Sequence, residues 1–236
     1  MERALEMFTR DVHDLYGADL LAVVLYGSAA TGEHVAGASD INLAVVVRQV
    51  TSALLRKASG RIRAWHRQGL ATPLFFDPET IQRSLDVFPI EFLDMQERHR
   101  MLWGPDLLTP LRIGRGNLRL QCEQELRGKL LRLRQAYVES AGSPEHLRRV
   151  LLMAAGSLLV LLRTLLRLAG ADPGGPAEAV LGRAGGQFAT STSHLVQVYQ
   201  VKRGEIRLAG SALEALFQGV LEEVESLVRV VDGLAA

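Results

Sequence analysis

The chain has 236 residues, of which 48% are hydrophobic and 22% are charged, and its formal net charge is +1. This apolar content is enough for a packed core, and the length fits one large domain or two small ones. The single cysteine, Cys122, excludes an internal disulfide and a zinc site built from cysteines. The N-terminal residues alternate charged and apolar side chains without a continuous apolar centre, so we predict no secretory signal and expect the protein in the cytoplasm.

Apolar and charged residues are unevenly distributed along the chain. The longest run of apolar or small residues, 150–162, is too short to cross a bilayer, so it predicts a buried helix and no membrane partner. Residues 112–169 hold 11 Lys and Arg against 4 Asp and Glu. Because aromatic residues are not interleaved with these arginines, solvated helix faces are the preferred interpretation. Nucleic acid is therefore not an expected partner.

The first part of the chain, residues 1–111, alternates helical and strand patterns. This alternation predicts an α+β domain with a mixed sheet of four or five strands. Helices are predicted at residues 2–16 and 51–68, and a short helix is predicted to begin at Pro78 with Asp77 as its N-cap. Short apolar or β-branched runs predict strands at residues 20–26, 41–47, 73–76, 89–94 and 98–103.

The second part, residues 112–236, has no strand signal. Apolar residues at helical spacing predict helices at residues 118–140, from Ser143-Pro144-Glu145 to about 168, at 177–181, at 193–201, and over a final segment that ends near 231. These elements predict a bundle of four or five helices. The apolar surface exceeds what one small bundle needs, which is compatible with a homodimer.

The stretch 25–47, LYGSAATGEHVAGASDINLAVVV, carries the residues most indicative of phosphate chemistry. A glycine lets the backbone approach a triphosphate, and a serine hydroxyl together with exposed N–H groups donates to its oxygens. Gly27 and Ser28 are therefore candidate nucleotide-binding residues. On the following strand, residues 40 and 42 share a face, where a pair of carboxylates would hold two hard cations against the phosphates. Here Asp40 supplies a carboxylate and Asn42 only an amide.

Two-metal transfer also needs a third carboxylate on an adjacent strand. The predicted strand at residues 89–94 carries Glu91 on one face and Asp94 on the other. An acid among apolar residues of a buried strand is costly unless it is paired or binds a metal. Asp94 lies nearer the strand end, where Arg98 can pair with it. We therefore predict Glu91 as the third metal ligand or the base.

These residues resemble the signature of the polymerase-beta-like nucleotidyltransferase superfamily, in which glycine-serine precedes a hydrophobic strand with a pair of acids. The segment RHRMLWGPDLL resembles the strand and turn that close this domain in aminoglycoside adenylyltransferases and their relatives. The resemblance covers about residues 20–110. It implies that the helical bundle serves substrate binding or dimerisation, that Gly27 and Ser28 contact a triphosphate, and that Asp40, Asn42 and Glu91 bind Mg²⁺ or Mn²⁺.

The activity implied by this resemblance is transfer of a nucleoside monophosphate from an NTP to a hydroxyl of a small molecule or a protein. Asn42 departs from the family pattern, because an amide oxygen can still bind Mg²⁺ but brings no negative charge. The preferred interpretation is an active enzyme. The alternative is a degenerate relative that acts as a nucleotide-binding or interaction module. Both interpretations predict the same fold.

Overall fold

The structure is a computed structural model that describes residues 1–32 and 41–234. The chain forms two compact units, Met1–Gly114 and Arg115–Ala236, so their boundary lies three residues beyond the predicted one. The first unit combines a mixed sheet with helices, and the second is helical. The fold class is therefore α+β with a C-terminal helical region, as the sequence predicted.

The first unit is built around a sheet of four strands in the part of the chain that the structure describes. Its elements are α1 (Glu2–Tyr16), β1 (Leu20–Tyr26), β2 (Asn42–Val47), α2 (Ser52–Ser59), α3 (Ile62–Arg67), β3 (Leu74–Phe76), α4 (Pro78–Ser84), α5 (Pro89–Glu97) and β4 (His99–Trp103). The strand order is β3-β2-β1-β4. β1 is antiparallel to β2 and β4, and β2 is parallel to β3. The two most apolar strands, β1 and β2, are therefore central.

Successive side chains of β1 and β2 point to opposite sides of the sheet. Helices cover both sides, so both faces are buried. One face packs against α1, α2 and α3, and the rings of Phe8 on α1 and Trp65 on α3 lie 4.8 Å apart. The other face packs against α4 and α5 through Ile81, Phe92 and Met95. Continuous β-branched and apolar strands are the expected sequence pattern for such a doubly covered sheet.

The prediction of a strand at residues 89–94 is wrong, because these residues belong to the helix α5. Pro89 occupies the first helical turn, where its missing N–H has no intrahelical partner to lose. The buried residues Ile90 and Leu93, like Phe92 and Met95, are three positions apart, which fits one turn of helix. A short apolar run is compatible with both structures from periodicity alone, so packing against the sheet decided it.

Two other local predictions can be compared with the structure. The helix predicted at residues 51–68 is divided into α2 and α3 by a turn at Gly60 and Arg61. Asp77 is confirmed as the N-cap of α4, since its Oδ1 accepts a hydrogen bond from the Thr80 N–H at 2.8 Å. Capping is a local interaction, which is why the sequence alone predicted it.

The second unit consists, over the described residues, of α6 (Arg115–Glu139), α7 (Pro144–Leu168), α8 (Ala177–Phe188), α9 (Ser193–Arg203) and α10 (Ser211–Gly233). α7 packs against each of the other four, and its buried leucines form much of the core. Among the described residues α7 is also the one helix whose length and composition would suffice for a membrane span, although half of its most apolar window is buried. A core helix passes the same test.

Candidate functional site

The Gly27-Ser28 pair lies at the end of β1, where the strand turns into a short 3₁₀ segment, Gly27–Ala29. Gly27 is buried and has φ of 75°, a left-handed backbone conformation that residues other than glycine rarely adopt. Its N–H donates to the carbonyl of Arg98 at 2.8 Å, and its own carbonyl accepts from the Ala30 N–H at 3.0 Å. Ser28 is half-buried and follows directly. The turn is therefore fixed by backbone hydrogen bonds on both sides of Gly27.

Asn42 opens β2 directly beside this turn. It lies opposite Tyr26 in the antiparallel register of β1 and β2, so the two side chains share the sheet face that α5 covers. A Cβ atom built on Gly27 would lie 3.5 Å from Nδ2 of Asn42. The structure thus brings together the predicted residues Gly27, Ser28 and Asn42. Asp40, the predicted carboxylate of the pair, lies outside the described residues.

Glu91 is not on a strand adjacent to β2, because it is an exposed residue of α5. The neighbours of β2 are β1, with the sequence LLAVVLY, and β3, with the sequence LFF. In the described residues, none of the four strands of the sheet carries an Asp or Glu. The premise that an adjacent strand supplies the third acid is therefore wrong, and the role of Glu91 as a metal ligand stays a prediction.

Asp94, a second acid of α5, lies against the sheet near the turn. Its side chain is 21% exposed, and its Oδ1 accepts from Nη1 of Arg98 at 3.3 Å. Burial raises the pKa of Tyr26 to about 12, and the negative charge of Asp94 contributes to the same shift. Asp94 therefore acts electrostatically on the residue that lies opposite Asn42. The predicted pairing of Asp94 with Arg98 is present. It lies within the last turn of α5, whose C-cap is Arg98, and not at the end of a strand.

The donor set for a divalent cation is incomplete in the described residues. No group of three or more His, Cys, Asp or Glu side chains that could hold a metal ion is found in residues 1–32 and 41–234. Asn42 offers one neutral oxygen, a ligand type that Mg²⁺ and Mn²⁺ accept. Of the two predicted anionic ligands, Asp40 lies outside the described residues and Glu91 lies on α5.

Two residues of the site could not be found by motif reasoning. Arg98 contributes its backbone carbonyl to Gly27, a role for which side-chain chemistry gives no signal. Tyr26 precedes the glycine and is the half-buried polar group between Asn42 and His99, which lies opposite it on β4. The register of β1 against β2 and β4 brings both residues to the Gly27 turn. A single sequence does not specify the register between strands that are distant in sequence.

A groove of about 500 Å³ in the first unit does not include these residues. It lies between α1 and β4 and is lined among others by Leu5, Thr9, His13, Arg100 and Trp103. The Gly27-Ser28 turn is a backbone feature at a strand end, and binding of an anion by backbone N–H groups needs no deep pocket. The position of the groove therefore does not redefine the candidate site.

Comparison with solved structures gives a likeness in fold. A solved structure of spectinomycin adenyltransferase AAD(9) from Enterococcus faecialis, with ATP and spectinomycin, superposes with a TM-score of 0.60 at 10% sequence identity. The match covers 95% of this chain and 99% of that chain. No family model and no curated protein sequence matches the chain. At this identity the likeness shows a shared fold, which extends over both units and not only over the first.

Proposed function

We propose that this nucleotidyltransferase-fold protein binds the triphosphate of an NTP at the Gly27-Ser28 turn and transfers the nucleoside monophosphate to a hydroxyl of a small molecule or a protein. Asp40 and Asn42 would hold a divalent cation, Mg²⁺ or Mn²⁺, against the phosphates. Glu91 is retained as the candidate third ligand or base. The observation that carries the proposal is the placement of Asn42 beside the left-handed Gly27 turn, in a fold shared with an adenyltransferase.

Each residue has a distinct task in this reaction. The turn would donate backbone N–H groups and the Ser28 hydroxyl to phosphate oxygens, which are strong acceptors. Asp40 would supply the fixed negative charge for the cation, and Asn42 would supply a neutral oxygen on the same face of the strand. The cation, when bound, withdraws charge from the phosphate that is attacked. The acceptor hydroxyl would be a small-molecule hydroxyl if the likeness to the spectinomycin enzyme extends to the acceptor class.

A second candidate function is nucleotide binding without turnover, and one observation favours it. The described strands of the sheet carry no carboxylate, so an anionic ligand for a second cation would have to come from outside these strands. A protein of this kind would bind an NTP with one cation and report its presence to a partner. Both candidates use the same turn and the same Asp40, so binding measurements alone do not separate them.

The Asn42→Asp substitution separates the two functions. If the wild type is a transferase with a weakened metal site, the added carboxylate should raise the transfer rate by about tenfold, because a second anionic ligand holds the cation more firmly. If the wild type only binds nucleotide, it shows no turnover and Asn42→Asp creates it. The measurement is transfer of labelled AMP or GMP to a panel of aminoglycosides, other polyols and proteins, with Mg²⁺ or Mn²⁺.

Two further variants control this experiment. Asn117→Asp adds the same charge at an exposed position of α6 and should change neither binding nor transfer. Asp40→Asn should abolish metal-dependent ATP binding measured by titration calorimetry. If the wild type shows no metal-dependent binding of ATP or GTP, and Asp40→Asn changes nothing, both candidate functions are rejected.

A further inference from the structure

The nucleotide-binding turn is attached to the C-terminal end of α5 through a single residue. Arg98 is the C-cap of α5, and its carbonyl accepts the hydrogen bond from the Gly27 N–H. β4 begins one residue later, at His99, which lies opposite Tyr26. The Gly27–Arg98 bond therefore extends the β1–β4 ladder by one residue beyond its last strand pair, to the point where β1 turns.

Arg98 is in turn held at both ends by Asp94. Its N–H donates to the Asp94 carbonyl at 2.9 Å, and its Nη1 donates to the Asp94 carboxylate at 3.3 Å. The side chains of Arg98 and Asp94 are only 12% and 21% exposed. Ion pairs that are screened from solvent in this way lose less of their Coulomb energy than surface pairs do. The exposed pair of Glu79 and Arg83 on α4 has the same spacing but is 71% and 79% exposed.

We propose that Asp94 is a positioning residue for the phosphate-binding turn, and that it acts through Arg98. By fixing the guanidinium, Asp94 keeps the Arg98 backbone at the end of α5, so that the Arg98 carbonyl holds the Gly27 N–H. This bond keeps Gly27 in its left-handed conformation and presents the Ser28 side of the turn to the ligand. The proposal rests on the proposed function for its ligand, but the linkage from Asp94 to Gly27 is a property of the first unit alone.

The first test measures the linkage without any ligand. In Asp94→Asn the carboxylate charge is removed while the size of the side chain is kept, and we expect amide hydrogen exchange of Gly27 to accelerate about tenfold or more. Exchange of the central β1 amides, such as that of Val24, should stay as in the wild type, because only a local opening is eased. Glu79→Gln is the matched control and should leave Gly27 exchange unchanged. Unchanged Gly27 exchange in Asp94→Asn overturns the proposal.

The second test measures the consequence for the ligand. We expect ATP, with Mg²⁺, to bind Asp94→Asn about tenfold more weakly than the wild type, with affinity restored at least in part by Asp94→Glu. In an Arg98→Ala background, Asp94→Asn should have no further effect, because both changes break the same link. If the two substitutions weaken binding independently, Asp94 does not act through Arg98 and the proposal is overturned.

The two readouts keep the proposal separate from the proposed function. If the wild type binds no ATP but Gly27 exchange depends on Asp94, the proposed function fails and the linkage holds. If Asp94→Asn speeds exchange throughout the first unit, including that of Val24, the pair is only a general stabilising contact and the linkage is rejected. A selective effect on Gly27 together with weaker ATP binding supports both.

Discussion

Glycines at single positions fix two of the turns in the first unit, and they do so for different reasons. Gly27 needs its left-handed backbone, while space for a Cβ atom is available next to Asn42. Gly104, which follows β4, has φ of 80° and also lies against the backbone of β1. A Cβ atom there would lie 2.2 Å from the carbonyl oxygen of Leu21 and 3.0 Å from Cα of Ala22. Neither neighbour is a flexible side chain that could move away.

We predict that Gly104→Ala lowers the free energy of unfolding by about 3 kcal/mol. The strained backbone conformation contributes about 1–2 kcal/mol, and overpacking against β1 contributes a further 1 kcal/mol or more. Urea denaturation followed by circular dichroism measures the change. Gly116→Ala is the control, since Gly116 lies in the first turn of α6 with open space around it, and it should change stability by no more than about 0.5 kcal/mol. Equal effects of the two substitutions would contradict this interpretation of Gly104.

At the scale of the element, the N-terminus of α9 is capped by a side chain from another helix. The N-cap residue, Thr192, makes no capping hydrogen bond with its own side chain to α9. Instead the carboxylate of Glu223 on α10 accepts from the N–H groups of His194 at 2.9 Å and Leu195 at 3.0 Å. Nδ1 of His194 and the hydroxyl of Ser191 also lie within 3.1 Å of the same carboxylate. The positive end of the helix dipole further favours this buried charge.

We predict that Glu223→Ala lowers the free energy of unfolding by about 3 kcal/mol. The substitution removes a cap, which is worth about 1 kcal/mol, and it leaves buried N–H donors without an acceptor at a further 1–3 kcal/mol. The neighbouring Glu222→Ala removes the same group from an exposed position and should change stability by less than about 0.5 kcal/mol. Chemical denaturation of both variants is the measurement, and a similar loss in both would disprove the capping role of Glu223.

The turn after β4 is a second element held by a carboxylate. Burial, the largest single influence, raises the pKa of Asp106, but it is outweighed by the sum of the hydrogen bonds from the Thr109 hydroxyl and the Thr109 and Leu108 N–H groups and a smaller contribution from His99. The net result is a pKa of about 2, below the ordinary value of 3.8. A carboxyl whose pKa is lowered by folding stabilises the folded state above the unfolded pKa and loses that contribution as the pH falls through the folded pKa.

We therefore predict that Asp106→Asn makes the stability of the first unit less dependent on pH between about pH 4 and 2. At pH 6 the variant should be less stable than the wild type, and the difference should shrink towards pH 2, where about half of the wild-type carboxylate is protonated in the folded state. Urea midpoints measured in half-unit steps of pH report this. Asp86→Asn, at an exposed position, is the control with the same charge change. A constant difference between Asp106→Asn and wild type across this range would argue against the predicted linkage.

At the scale of the whole molecule, each of the two units has its own core. The first unit is organised by the two buried faces of its sheet, and the second by the apolar residues of α7 and α10. The fold shared with the adenyltransferase AAD(9) extends over 95% of this chain. The helical unit is therefore part of the shared fold, and its role in substrate binding or dimerisation stays a prediction.

The sequence alone determined those features that depend on neighbours along the chain. Continuous apolar or β-branched runs predicted β1 and β2, proline and an N-cap predicted the starts of α4 and α7, and the Gly27-Ser28 pair marked the turn. Each of these signals is local, because an apolar run, a cap and a left-handed turn each involve residues within a few positions of one another.

Only the tertiary structure decided where Glu91 and Asp94 lie. Residues 89–94 were apolar enough for a strand, but packing against the second face of the sheet made them the helix α5, which removed Glu91 from the sheet and placed Asp94 near Tyr26. The hydrogen bonds between Gly27 and Arg98, and between the N-terminus of α9 and Glu223, likewise join residues that are distant in sequence. Such contacts depend on register and packing between elements, and one sequence contains no local signal for either.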